Sequence, residues 1–211
     1  MTLNQVELKE ETPFRAVVSR RYYFGMGIND VKDCSYNTRA YVSWRNMLER
    51  CYAPYAKDKY PTYNGSTVCE EWLRFSNFKK WFDERFVEKS GQELDKDILA
   101  KGNKCYSPET CCLVPHRINT LILKSEGKRG ELPIGVSRGS WNNLKDYSSA
   151  INIYDRCVFL GGFDTPEEAF QAYKRVKEAY IALEANIAYS RGFIDKRTLN
   201  ALLNYKIEIT D

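Results

Sequence analysis

Few side chains in this sequence could carry chemistry, and they fall in two groups. The first lies between residues 95 and 119. The chain has one histidine, His116, with Cys105, Cys111 and Cys112 ahead of it. A zinc ion takes such ligands, but the adjacent Cys111–Cys112 pair departs from the spacing of structural zinc sites. The seven cysteines form no C-x-x-C pair and read as free thiols, mostly buried. Lys96 stands between Asp95 and Asp97. A lysine near its ordinary pKa of about 10.4 is protonated at neutral pH, and flanking carboxylates hold it there. Such an ammonium suits a phosphate oxygen better than proton abstraction.

The second group is polar, aromatic and basic. Alternation from Ile134 to Phe159 sets Ser137, Gly139, Trp141, Ala150, Asn152, Cys157 and Phe159 on one face of a small sheet, with Arg138, Lys145 and Arg156 at its edges. A polar face with a tryptophan and basic rims has the shape to enter a DNA major groove. The same pattern fits a solvated sheet packed on a neighbouring domain, and pattern alone leaves both open. Upstream, Lys128 and Arg129 lie in a polar stretch at 125–130 and could follow a phosphate backbone or minor groove.

These groups need elements to hold them. The sheet reads as a strand from Ile134, a turn at Asn142–Asn143, a strand from Tyr147 to Tyr154, a tight turn at Asp155–Arg156, and a strand from Cys157 stopped by Gly161–Gly162. Thr165-Pro166-Glu167-Glu168 starts a helix that buries Ala169, Tyr173, Val176, Tyr180, Leu183 and Ile187. Further upstream, Arg15 to Val18 reads as a strand and Thr38 to Cys51 as a helix burying Trp44, Met47 and Leu48. A second helix runs from Ser76 to Phe86, capped by Ser76–Asn77. Leu94–Leu99 and Cys111–Val114 form two strands joined by a long turn, and a helix runs from Pro115 to Leu123. A last helix starts at Asp195, and Arg191, Lys196 and Arg197 beside it could reach phosphates.

The expected fold is α+β: an N-terminal helical region with a ββα finger, a three-stranded antiparallel sheet backed by one helix, and a C-terminal helical tail. The boundaries are an N-terminal segment 1–35, helical region and finger 36–124, linker 125–131, sheet domain 132–189 and helical extension 190–211.

Several motifs resemble known families. Gly135-Val136, Trp141, Phe159-Leu160-Gly161-Gly162-Phe163, Asp164 to Ala169 and Ala172-Tyr173 are similar in order and spacing to the plant ethylene-response-factor (APETALA-class) DNA-binding domain. The resemblance implies a sheet that lies in the major groove. Its contact positions fall on Ile134, Ser137, Gly139, Trp141, Ala150, Asn152, Cys157 and Phe159. Trp141 is the family's residue, Phe159 replaces another aromatic, and most of the family's arginines are missing. Arg138, Lys145 and Arg156 are then expected to supply phosphate contacts, which position without specifying sequence.

The strand-turn-strand-helix stretch from Leu94 resembles the finger of HNH homing endonucleases, many of which, in phages, carry an ethylene-response-factor-like domain behind it. That resemblance implies Asp95 and Asn119 as ligands of a divalent metal such as magnesium. It places the general base at Lys96 and the residue that orients the base at Thr110. Neither residue type suits its role, and His116 sits on a different element from the base.

The formal charge of +4 is compatible with nucleic acid, and no apolar run is long enough to span a membrane. The expected function is double-stranded DNA binding by a phage or mobile-element protein derived from a homing endonuclease and deficient in cleavage. It would serve as a transcriptional repressor or site-occupying factor, cytoplasmic and monomeric, with no cofactor and no membrane partner. The alternative is an active, metal-dependent endonuclease.

Overall fold

The computed structural model of the protein describes residues 22–32, 36–122, 131–139 and 145–210. The strand expected at 15–18, the turn at Asn142–Asn143, Trp141, Lys128 and Arg129 lie outside them. The architecture is α+β, as expected, with the three-stranded antiparallel sheet backed by a helix and followed by a C-terminal helix.

A hairpin of β1 (Tyr22–Tyr23) and β2 (Gly27–Ile28) leads to helix α1 (Arg39–Tyr52). The Thr38 side chain accepts from the Tyr41 amide and caps α1. A short α2 (Ala56–Lys59), strand β3 (Thr67–Val68) and a 3-10 turn precede α3 (Phe75–Asp83). Ser76 does not cap α3. Asp30 reaches in from another segment and accepts from the Ser76 amide at 2.9 Å and the Ser76 hydroxyl at 2.7 Å. Burial opposes ionisation of Asp30, but these hydrogen bonds and Arg74 outweigh it and hold the carboxyl below its usual range. Trp44, Met47, Leu48, Trp72, Phe75 and Phe78 are almost wholly buried and form a first core, with the Trp44 indole donating to the Trp72 carbonyl at 2.7 Å.

The finger follows: β4 (Gln92–Asp95), β5 (Cys105–Tyr106), β6 (Cys112–Pro115) and α4 (His116–Ile122). β4 and β6 pair antiparallel, with Asp95 opposite Cys112, while β5 pairs parallel with β3. The first strand stops at Asp95 rather than Leu99, because Asp95 Oδ1 accepts from the Asp97 and Ile98 amides at 2.8 and 2.7 Å and turns the chain. Alternation along the return strand divides its apolar residues. Cys111 and Leu113 face the first core, Cys112 and Val114 a second.

The sheet consists of β7 (Val136–Arg138), β8 (Tyr147–Ile153) and β9 (Arg156–Phe163), in that order and antiparallel. The β8–β9 turn is Tyr154–Asp155, one residue earlier than expected, and both residues have positive φ, 48° and 63°. Gly161–Gly162 does not stop β9. Gly161, at φ 139°, lets the strand continue past an irregularity opposite Ser149 and Ala150. Gly135 is held by two constraints: φ is 77°, and a Cβ would lie 2.0 Å from the Tyr173 ring.

Helix α5 (Pro166–Ser190) starts with a complete capping box between Thr165 and Glu168. Its buried stripe holds Ala169, Tyr173 and Tyr180 as expected, but Leu183 is exposed and Ile181, Ala185 and Ala188 are buried instead. α5 packs on the sheet and also on α6 (Lys196–Leu203). The second core joins Ile98, Val114 and Ile118 of the finger to Ile151, Tyr173, Ile181, Leu202 and Ile207. Finger and sheet therefore share a core across the 125–131 linker boundary. Among the described residues, no helix is long and apolar enough to cross a membrane.

Candidate nucleic-acid interface and metal corner

Directly opposed residues in an antiparallel pair share a face, and successive residues alternate. The observed register sets Ser137 against Ser148, Ala150 against Phe159 and Asn152 against Cys157. All six lie on the face away from α5, whereas Ser149 and Ile151 are buried beneath the helix. Ser137, Asn152 and Cys157 are exposed, and Phe159 is 50% exposed although it is a large apolar ring. Among the described residues, none covers this face.

The rims are asymmetric. Arg138 ends β7 opposite Tyr147, and Arg156 starts β9 opposite Ile153. They mark the two ends of β8, roughly 20 Å apart at strand rise. By the alternation above both fall on the α5 side of their strands, with Tyr147 and Ile153, so only from the two ends of the sheet could their side chains reach the phosphate backbones of a major groove about 12 Å wide. Both arginines are exposed. Lys145 is also exposed but is ion-paired with Asp164, whose hydrogen bond raises the ammonium pKa. Of the other expected contact positions, Ile134 is half-buried against the second core, and Ala150 is half-buried but lies on the outer face opposite Phe159.

The finger spends its polar groups internally. Lys96 is 6% exposed. Its ammonium donates to Asp97 Oδ1 and Oδ2 at 2.8 and 2.7 Å and to the Asn103 carbonyl at 2.8 Å, which takes all three of its donors. This arrangement overturns the phosphate contact expected of Lys96 and provides no proton acceptor. The Thr110 hydroxyl donates to the Cys105 carbonyl at 2.7 Å, and its amide donates to the Ser107 carbonyl at 3.2 Å and closes the 107–110 turn. The Asn103 amide donates to the Lys96 and Cys105 carbonyls, a brace the sequence reading missed.

Asp95 and Asn119 are the two ligands that the resemblance implies, although no group of three or more His, Cys, Asp or Glu that could hold a metal is found among the described residues. Burial raises the Asp95 pKa above its ordinary value despite the amide hydrogen bonds that Ile98 and Asp97 donate to it. Asn119 donates to Glu93 Oε2 at 2.7 Å, and its Oδ1 is buried with no hydrogen bond among the described residues. A desolvated carboxylate and an unsatisfied amide oxygen fit a hard divalent cation. Asp95 and Asn119 would hold it, and a bound ion would stabilise the leaving oxygen of a phosphodiester. Glu93 was also missed. It stands two residues before Asp95, so the two share a strand face, and its Oε1 lies 2.8 Å from His116 Nδ1. His116 is exposed, far from any role at Lys96 or Thr110.

The zinc ligands weighed in the sequence do not converge. Cys111 and Cys112 face different cores, and burial pushes the Cys111 thiol up to about 12. Arg197 is not free for phosphate either, since its guanidinium donates to the carbonyls of Pro108, Glu109 and Cys111. Comparisons with protein-family models, curated proteins and solved structures returned no match to this chain.

Proposed function

We propose that this is a double-stranded DNA-binding protein whose sheet face enters the major groove, with Arg138 and Arg156 on the flanking phosphates. The observation that carries the reading is the contrast in polar groups. Ser137, Asn152 and Phe159 stand open on a sheet face that no described residue covers, whereas the finger's Lys96, Thr110 and Asn103 are consumed inside it. The motif resemblance to ethylene-response-factor domains supports the same face. A finger with Lys96 at the base position supports binding without cleavage, the behaviour of a repressor or site-occupying factor.

The test is retention on duplex DNA, measured by fluorescence anisotropy across a salt series. Replacing Arg138 or Arg156 by glutamine should each flatten the log–log salt slope by about 1. Binding that ignores salt, or variants that leave the slope unchanged, would sink the reading. A second reading, active metal-dependent endonuclease, is favoured by one observation: the buried Asn119 Oδ1, which has no hydrogen bond among the described residues. Magnesium-dependent nicking that disappears in both Asp95→Ala and Asn119→Ala would establish it.

A further inference from the structure

The observed register fixes which side chains the outer sheet face presents. Ser137 stands opposite Ser148, Ala150 opposite Phe159, and Asn152 opposite Cys157. None of these six is charged. The sequence between β7 and β8 at 140–144, Ser-Trp-Asn-Asn-Leu, contains no charged residue either. Arg138 and Arg156 fall on the α5 side of their strands, at the ends of the sheet. Asn152 is exposed, and its side-chain amide makes no hydrogen bond among the described residues. Phe159 is half exposed and stands two residues along β9 from Cys157, the partner of Asn152.

In a major groove these side-chain types discriminate between base pairs. Guanine is read by arginine or lysine on O6 and N7, and cytosine by a carboxylate that accepts from N4. The strands of the outer face present neither. Asparagine pairs with adenine in bidentate fashion, donating to N7 and accepting from N6, and apolar groups contact the thymine C5-methyl. Asn152 supplies the first kind of group, and the Phe159 ring with the Ala150 methyl supplies the second. Asn152 and Phe159 are diagonal neighbours across β8 and β9, about 7 Å apart, which is about two base-pair steps of 3.4 Å. The patch they make therefore spans about three successive base pairs.

We propose that the sheet face selects A·T base pairs, with Asn152 reading adenine and Phe159 contacting a thymine methyl, and that its preferred partner is a duplex carrying a run of about three A·T pairs. The proposal rests on the DNA-binding reading above and adds the base preference to it. Two kinds of contact are thereby separated. Arg138 and Arg156 meet phosphates, which every sequence has, so they set affinity. Asn152 and Phe159 meet base edges, so they set preference.

The experiment uses the full chain and two duplexes of equal length, one of alternating A·T and one of alternating G·C pairs, titrated by fluorescence anisotropy at one salt concentration. The A·T duplex should bind about tenfold more tightly. Two atomic replacements in that duplex then locate the contacts. Exchanging adenine for 7-deazaadenine removes the N7 acceptor and should weaken binding about fivefold. Exchanging thymine for uracil removes the methyl and should weaken it about fourfold. Asn152→Ala should abolish the 7-deazaadenine effect and keep the uracil effect, and Phe159→Ala should keep the first and abolish the second. Both side chains are exposed, so unfolding of the two variants should be unchanged. Arg138→Gln should weaken both duplexes by the same factor. Salt-dependent binding that is equal for the two duplexes would overturn the A·T preference and leave the DNA-binding reading standing. A preference for A·T that neither atomic replacement alters would overturn the proposal as well, because recognition would then lie outside the major groove. Binding to neither duplex would overturn the DNA-binding reading and the preference with it.

Discussion

The finger and the sheet are built on similar plans, a few short strands and a helix, yet they treat their polar groups in opposite ways. In the finger, Lys96, Thr110 and Asp95 are turned inward, and His116 alone of the candidate catalytic residues is exposed. Lys96 grips Asp97 and the Asn103 carbonyl, Thr110 grips the Cys105 carbonyl, and Asp95 Oδ1 turns the chain. In the sheet, Ser137, Asn152, Arg138 and Arg156 are exposed, and their side chains make no hydrogen bond among the described residues. Buried polar groups must be satisfied, so the finger's interior lysine is explained by folding alone. An exposed large ring on a bare sheet face, as at Phe159, gains nothing for the monomer, and such a surface suits a partner. The comparison teaches that motif position and availability are separate properties. Lys96 occupies a place where chemistry is expected and is unavailable for it.

If this contrast is right, variants should sort cleanly into those that move stability and those that move binding. The largest effect is expected at Gly135→Ala. A Cβ there meets the Tyr173 ring at 2.0 Å in a left-handed backbone, so stability should fall by about 3 kcal/mol in urea unfolding, and β7 should lose its place. Lys96→Met follows. It keeps the stem buried but removes three hydrogen bonds, and should cost about 2 kcal/mol while leaving duplex affinity unchanged. A marked loss of affinity in that variant would break the comparison, because it would give the finger's lysine a role outside the fold.

Phe159→Ala should do the reverse, weakening duplex binding about tenfold, or about 1.4 kcal/mol, with little change in unfolding. The smallest effect is expected at Asp30→Asn, about 1 kcal/mol from a weakened cap on α3. The Asp30 pKa is depressed, so the stabilisation it gives is complete above the ordinary carboxylate value, about 3.9, and is lost as pH falls through the lower folded value. The variant should therefore show a flatter loss of stability below about pH 4, read by thermal unfolding at stepped pH.

Much of the local structure was legible because it is written in short-range chemistry. Thr38 and the Thr165–Glu168 box announce helices that the backbone then forms. Alternation along Tyr147–Ile153 names the face that α5 covers. The errors lie where a distant group intervenes. The α3 cap comes from Asp30, far away in sequence, and no spacing rule points to it. The buried stripe of α5 departs from a single face because one long helix packs on the sheet and on α4 and α6 as well, so Leu183 falls outside while Ala185 falls inside. Glu93 was within reach of a two-residue strand period, but its value came only from the partners His116 and Asn119 that α4 supplied.

By itself, then, the sequence determined the order of elements, their caps, and which sheet residues share a face, because these depend on neighbours within a few positions of the chain. Only the tertiary structure decided which of those residues are free to act. The return strand was partitioned between two cores, Lys96 was closed inside the finger, and Arg117 was carried across to Tyr154, Tyr180 and Glu184. The reason is physical. Availability depends on burial and on long-range partners, and both are properties of the packed chain rather than of any local stretch.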